Sequence, residues 1–331
     1  MFSDREQLAE TEAALFQRVA AWRENGKWEL TAEALREITR VEGIDFATAL
    51  LFERYRTSSR HAEFIRQIDC WRESRSSIGT ASGVKLVIVP GALYVERPEM
   101  GGDGRVIRDV AHDLGWSSIL VPLQSRGSAV ENACLLRAWL KANSREPLIL
   151  VSLSKAGAEV KLALAAPDAA EVFRNVVSWV NVCGPLNGSR LVNWILASRV
   201  RTALFRAQYW WQRRDFRFIT DLRQGGGPLD VPCRPMELRM ISLVGFPLRR
   251  HLTTPFSRFC HRTLEPWGPN DGTVSLSDLN DWPGDIYPAW GMDHYFRPES
   301  QARNLIKALL RHLAEDLHRT SAPALCGVGT E

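Results

Sequence analysis

The sequence has no C-x-x-C pair: its six cysteines, Cys70, Cys134, Cys183, Cys233, Cys260 and Cys326, stand apart along 331 residues. Such spacing supplies neither a zinc ligand set nor a disulfide framework, so reduced thiols of core and surface are expected. The chain also lacks any run of about 18 apolar residues, the length a membrane-crossing helix needs. Its first residues, Met1, Phe2, Ser3, Asp4, Arg5 and Glu6, are mostly polar and lack the basic start and apolar stretch of a secretory signal. Together these two absences predict a protein that stays in the cytoplasm. Charge of one sign is scarce as well: 42 basic residues face 38 acidic ones, an excess too small and too dispersed to argue for nucleic acid as a partner. Internal repeats are missing. With 45% hydrophobic and 24% charged residues the composition is that of a chain able to bury a large core, which excludes wholesale disorder.

What is present divides into two characters. Residues 1–75 are rich in Ala, Leu, Glu and Arg, with Leu8, Leu15, Val19 and Trp22 at helical spacing. A further helix is expected over 32–38, with Thr31 as its N-cap and Glu33 in the first turn, and another over 45–55. This reads as an N-terminal helical extension, and the Ser- and Gly-rich stretch 76–83 as a linker. From 84 to 320, short β-branched runs alternate with amphipathic segments. The runs lie at 84–89, 118–122, 147–152, 176–182 and 238–244, and helices are expected at 104–114, 128–142, 155–165 and 301–318. That alternation predicts an α/β fold with a mostly parallel central sheet covered by helices. A flexible tail is expected over 321–331.

The most informative stretch runs from Leu148 through Ile149, Leu150, Val151, Ser152, Leu153, Ser154, Lys155 and Ala156 to Gly157. It is an apolar strand leading into a small-x-Ser-x-small pattern and then a helix. A serine hydroxyl is a weak nucleophile until a base takes its proton, and a sharp turn at a strand end projects it toward one. This strand, turn and helix resemble the nucleophile elbow of the α/β-hydrolase superfamily, whose usual pattern is G-x-S-x-G. Ser152 and Ala156 replace both glycines here, and both are small. Ser154 could equally be a helix N-cap that satisfies backbone donors.

The resemblance extends from residue 84 to residue 318 and implies further roles. The first run ends in Pro90, Gly91, Ala92 and Leu93, where the family places one oxyanion-hole amide; by position the two amides are those of Ala92 and Lys155. The family's acid and histidine follow its nucleophile in chain order. Asp271, in the turn Asn270-Asp271-Gly272-Thr273-Val274, and His294, after the last expected strand, meet that order. A neutral imidazole accepts the serine proton and returns it to the leaving group, while a carboxylate holds its tautomer. Asp293 is the rival acid, but sequence neighbours rarely reach that geometry. His61, His112, His251, His261, His312 and His318 are expected in surface or structural roles.

Residues 188–235 stand where the superfamily often inserts a cap. Trp194, Tyr209, Trp210 and Trp211 interleave there with Arg190, Arg199, Arg201, Arg206, Arg213 and Arg214. One reading is a lid whose apolar face covers an acyl chain while its arginines meet an anionic head group or membrane surface; the other is a helix pair with its arginines in water. Gly91, Leu93, Trp194, Trp210 and Trp211 are the expected substrate-binding residues. The function these features imply is hydrolysis of a carboxylic ester or thioester of a small molecule through an acyl-enzyme on Ser154, without metal or organic cofactor. Acyl transfer to another acceptor, and a noncatalytic hydrolase-like binding protein, are the alternatives.

Overall fold

The computed structural model describes residues 11–24, 30–74, 84–143, 145–232 and 238–321. The linker expected at 76–83, the tail beyond Ser321, and Leu8, Cys233 and Cys326 lie outside the described residues. Four helices come first: α1 (Glu12–Glu24), α2 (Ala32–Glu42), α3 (Ile44–Arg56) and α4 (Ala62–Glu73). The strands are β1 (Lys85–Val89), β2 (Ser117–Leu120), β3 (Leu148–Leu153), β4 (Val176–Val182), β5 (Arg239–Phe246) and β6 (Asp285–Trp290). They form one sheet in the order β2-β1-β3-β4-β5-β6, and every neighbouring pair is parallel. The runs expected from the sequence are β1 to β5, with ends within two residues of those predicted.

β3 reads Leu-Ile-Leu-Val-Ser-Leu and is buried at every position, which a parallel strand achieves only with helices on both faces. Those helices are α5 (Arg105–Asp113), α6 (Ala129–Ala142), α7 (Ala156–Leu164), α8 (Ala169–Val172) and α13 (Glu299–Ser321), while α12 (Pro255–Leu264) stands between β5 and β6 in the chain. Between β4 and β5 the segment expected as a cap contributes α9 (Arg190–Leu196), α10 (Arg199–Trp211) and α11 (Arg217–Thr220). Local capping rules set several starts. Thr31 accepts from the Ala34 amide at 3.2 Å, and Ser128 and Glu131 form a reciprocal capping box at α6.

Alternation along the strands splits the core in two. Val87 and Val89 of β1 and Leu148 and Leu150 of β3 pack with α1, α2, α3, α6 and α7 on one face. Leu86, Ile88, Ile149 and Val151 pack with α4, α5 and α13 on the other. The four N-terminal helices are therefore not an appendage beside the sheet. Leu15, Val19, Leu35 and Phe46 belong to the first cluster, whereas Phe64, Ile65 and Ile68 of α4 belong to the second. α3 and α4 both pack on β6, the last strand of the sheet, and so cover an edge that would otherwise expose unpaired backbone groups.

Candidate active site

β3 ends at Leu153, and the chain turns sharply at Ser154 before α7 begins. Ser154 has φ of 50°, a left-handed backbone that costs a side-chain-bearing residue about 1–3 kcal/mol and persists only where the surroundings enforce it. Here the Ser154 amide donates to the Val182 carbonyl at 2.9 Å, and the Gly157 amide donates to the Ser154 carbonyl at 2.9 Å. The tight packing that the sequence pattern assigns to Ser152 and Ala156 falls mainly on Gly157. A Cβ there would stand 2.4 Å from Asn181 Oδ1 and 2.8 Å from the Gly184 Cα, so only glycine lets α7 approach β4 this closely. Ser152 instead serves as a polar anchor. Its buried hydroxyl accepts from the Trp179 indole at 2.8 Å and lies 3.3 Å from Asn181 Oδ1.

The turn aims Ser154 Oγ at His294, whose Nε2 lies 2.8 Å away. On the other side of the ring, Nδ1 lies 2.9 Å from Asp271 Oδ2. The remaining Asp271 oxygen, Oδ1, accepts from the Thr273 amide at 2.9 Å and the Val274 amide at 2.7 Å, and the His294 amide donates to the Asp271 carbonyl at 2.8 Å. Loop and ring thus orient one another. Asp271 is 1% exposed and His294 9% exposed, so the pair works outside bulk water. Burial disfavours the charged ring, but the Asp271 carboxylate, through its charge and hydrogen bond, and the nearby Asp293 charge outweigh it; the His294 pKa lies above the ordinary histidine value. Asp293 is occupied elsewhere: it accepts from Thr253 Oγ1 at 2.6 Å and from the Tyr295 amide at 3.0 Å.

The turn after β1 lies across from Ser154. Gly91 donates its amide to the Gly102 carbonyl at 2.8 Å, and Leu93, at φ of 58°, donates to the Ser125 carbonyl at 2.9 Å. Among the described residues, the amides of Ala92 and Lys155 donate to no protein acceptor. Both residues line the same cavity as Ser154 and His294. A Cβ at Gly91 would stand 3.0 Å from the Leu153 carbonyl oxygen, so the glycine permits this turn to lie against the elbow. Two amides without acceptors beside a serine hydroxyl that lies against a histidine ring could receive a negatively charged oxygen.

Several neighbours of the site carry no signal of their role in the sequence. The Lys155 side chain is buried in an ion pair with Glu159 one helical turn on, and Glu159 also accepts from Asn132 Nδ2 at 2.8 Å. Burial raises the Glu159 pKa, against the opposing pull of Lys155. The four-residue spacing of this pair is visible in the sequence; its burial is not. Cys183, at the end of β4, completes a buried cluster in which its sulfur, Asp271 and His294 offer ligand atoms within 4.8 Å of one another. The donor set is a poor one for a metal ion. Burial and the adjacent Asp271 charge hold the thiol well above its usual pKa, and the other two groups already bond to each other.

The cavity around Ser154 measures about 550 Å³ and is mostly apolar, with Leu93, Trp194, Phe205, Tyr209, Phe218 and Phe259 among its walls. The segment expected as a cap roofs it and is tied to the rest of the molecule by Arg190 to Asp278 at 3.1 Å and Gln224 to Asp278 at 2.6 Å, while Asn193 to the Gln224 backbone at 2.7 and 3.0 Å braces it internally. Of the residues expected to bind substrate, Gly91, Leu93 and Trp194 line this cavity and Trp210 and Trp211 do not. They are 78% and 81% exposed on the outer side of α10, because the helix turns Phe205 and Tyr209, four residues apart, toward the cavity. A larger hollow of about 1110 Å³ beside β6, walled by Arg23, Arg56, Asp69 and Arg72 among others, is lined by none of Ser154, Asp271, His294, Ala92 and Lys155.

No protein-family model matches the sequence, and no curated protein matches it either. Solved structures do. A metagenomic carboxyl esterase superposes with a TM-score of 0.52 at 21% identity, over 74% of this chain and 80% of its own. A lipase of Bacillus licheniformis in its mature form superposes with a TM-score of 0.51 at 18% identity, over 74% of this chain and 95% of its own. At such identities the likeness speaks for architecture alone. The parallel six-stranded sheet between helical layers is the architecture of the α/β-hydrolase fold, and the superpositions on an esterase and a lipase over three quarters of the chain agree with that fold.

Proposed function

We propose that the protein is a serine hydrolase cleaving carboxylic esters or thioesters with an apolar acyl part. The observation that carries this reading is the unbroken relay from Ser154 Oγ to His294 Nε2 at 2.8 Å and from His294 Nδ1 to Asp271 Oδ2 at 2.9 Å. In the first half-reaction Ser154 Oγ attacks the acyl carbon while His294 Nε2 takes its proton. The oxygen that becomes negative lies between the Ala92 and Lys155 amides, and Asp271 stabilises the imidazolium. Collapse expels the alcohol or thiol, which receives the proton from His294, and leaves the acyl group on Ser154. Water then attacks that ester with His294 again as base, releasing the acid and regenerating the serine. The apolar walls of the cavity suit the hydrocarbon of an acyl group. The esterase and lipase with the same fold support this class of substrate.

The test is an activated fluorophosphonate probe together with p-nitrophenyl esters of increasing chain length, on the wild type and Ser154→Ala. Labelling and turnover by the wild type, with turnover lower by at least about a thousandfold in the variant, is expected. Equal labelling of both proteins rejects the assignment.

A further inference from the structure

Helix α10 carries two apolar faces. Phe205 and Tyr209 turn toward the cavity, while Val200, Leu204, Ala207 and Trp211, spaced by four, three and four residues, form a second stripe on the solvent side. Val200, Leu204, Trp210 and Trp211 are each more than 60% exposed. The stripe has apolar neighbours. α10 packs on α9 and α9 on α12, where the Trp194 and Phe259 rings lie 6.1 Å apart. Phe256 and Phe259 are more than half exposed and also line the cavity that holds Ser154, so the mouth of that cavity opens onto this face.

The two chain segments that carry these helices are basic. Residues 185–214 and 247–264 contain ten arginines and no Asp or Glu. These ten exceed the formal net charge of the whole chain, +4, so the rest of the molecule is net acidic. Arg190, Arg249 and Arg250 are neutralised by Asp278, Glu265 and Glu12. Arg199, Arg201, Arg206, Arg213, Arg214, Arg258 and Arg262 form no ion pair among the described residues. Arg201 and Arg206 lay their guanidinium groups over the Trp194 and Phe216 rings, at 4.2 and 5.3 Å.

We infer that this face docks on an anionic lipid surface, with the α10 stripe entering the head-group region and the unpaired arginines meeting lipid phosphates. Exposed tryptophans flanked by arginines match both parts of such an interface, apolar depth and negative charge. A nucleic acid would answer the arginines but leave Val200 and Leu204 in water. Docking would also bring the cavity mouth against the bilayer, where water-insoluble esters reside. The inference does not depend on the chemistry at Ser154, because the docking is read by binding alone.

The experiment is flotation of the full-length protein with vesicles of phosphatidylcholine and with vesicles of phosphatidylcholine mixed with phosphatidylglycerol, at low and high salt. Binding to the mixed vesicles only, weakened by salt, is expected. Arg199→Gln with Arg206→Gln lowers the partition coefficient about 30-fold if each arginine contributes as a basic group near an anionic surface. Val200→Ser with Leu204→Ser also weakens binding while leaving hydrolysis of a soluble short-chain ester unchanged. Absence of binding to the mixed vesicles, equal binding to both vesicle types, wild-type partition by either double variant, or tighter binding to a DNA duplex than to mixed vesicles at the same salt overturns the inference.

Discussion

Replacing Asp271 by Asn keeps the shape of the side chain and removes its charge. The surrounding donors then decide how the amide sits. The Thr273 and Val274 amides both point at the position of Oδ1, so the amide oxygen must turn to them and the NH2 group must face His294 Nδ1. A donor there forces Nδ1 to be the acceptor and puts the ring proton on Nε2, which can then no longer accept from Ser154. The lost charge acts in addition. At an effective dielectric of about 20, opposite unit charges about 4 Å apart attract by about 4 kcal/mol, about a thousandfold in rate if the imidazolium forms only during reaction. With the tautomer error added, kcat on a p-nitrophenyl ester is expected to fall about ten-thousand-fold. The pH profile supplies a second reading. Only neutral His294 can act as base, so activity rises with pH through its pKa, which Asp271 holds above the ordinary value despite burial. Asp271→Asn should move that limb to lower pH. The stability sign follows as well: a raised folded-state pKa stabilises the protein below the unfolded value of about 6.5 and loses that contribution as pH rises through the folded value. A correctly folded Asp271→Asn protein with kcat within tenfold of wild type and an unmoved limb would refute the reasoning.

Other outcomes follow from the same coordinates. Gly91→Ala places a methyl 3.0 Å from the Leu153 carbonyl oxygen and pushes the Ala92 amide from the elbow; kcat should fall toward the roughly hundredfold typical of a lost oxyanion donor, with KM little changed. Lys155→Met leaves the backbone amide in place but strands buried Glu159, so thermal or urea unfolding should show a loss of about 3–5 kcal/mol, less if Glu159 protonates, with kcat of the folded fraction retained. Leu35→Ala removes a fully buried side chain of the shared core, and urea unfolding should show one cooperative transition destabilised by about 2–5 kcal/mol. Two separate transitions there would mean that the N-terminal helices fold independently of the sheet.

Much of this architecture is readable because local chemistry and tertiary need agree. β1 and β3 are continuous apolar runs, which in a soluble chain require a buried parallel sheet, and Thr31 and Ser128 mark helix starts by the hydrogen bonds their side chains can make. The elbow is legible for a related reason, since a strand, a serine between small residues and a helix are contiguous in sequence. The outer placement of Trp210 and Trp211 is less so: α10 is apolar on both faces, and periodicity does not say which face meets the cavity.

The chain by itself determined the alternation of apolar runs with helices and which residues offer a hydroxyl, an imidazole and a carboxylate in that setting, because these follow from side-chain chemistry and short-range pattern. Only the tertiary structure decided that Ser154, Asp271 and His294, as much as 140 residues apart, stand within hydrogen-bond reach. It likewise decided that the first four helices divide between the two faces of the sheet rather than standing aside, and that Cys183 and the Lys155–Glu159 pair are buried beside the elbow. The physical reason is that such proximity is produced by the parallel crossover connections and by closure of a common core, neither of which is encoded in any one local segment.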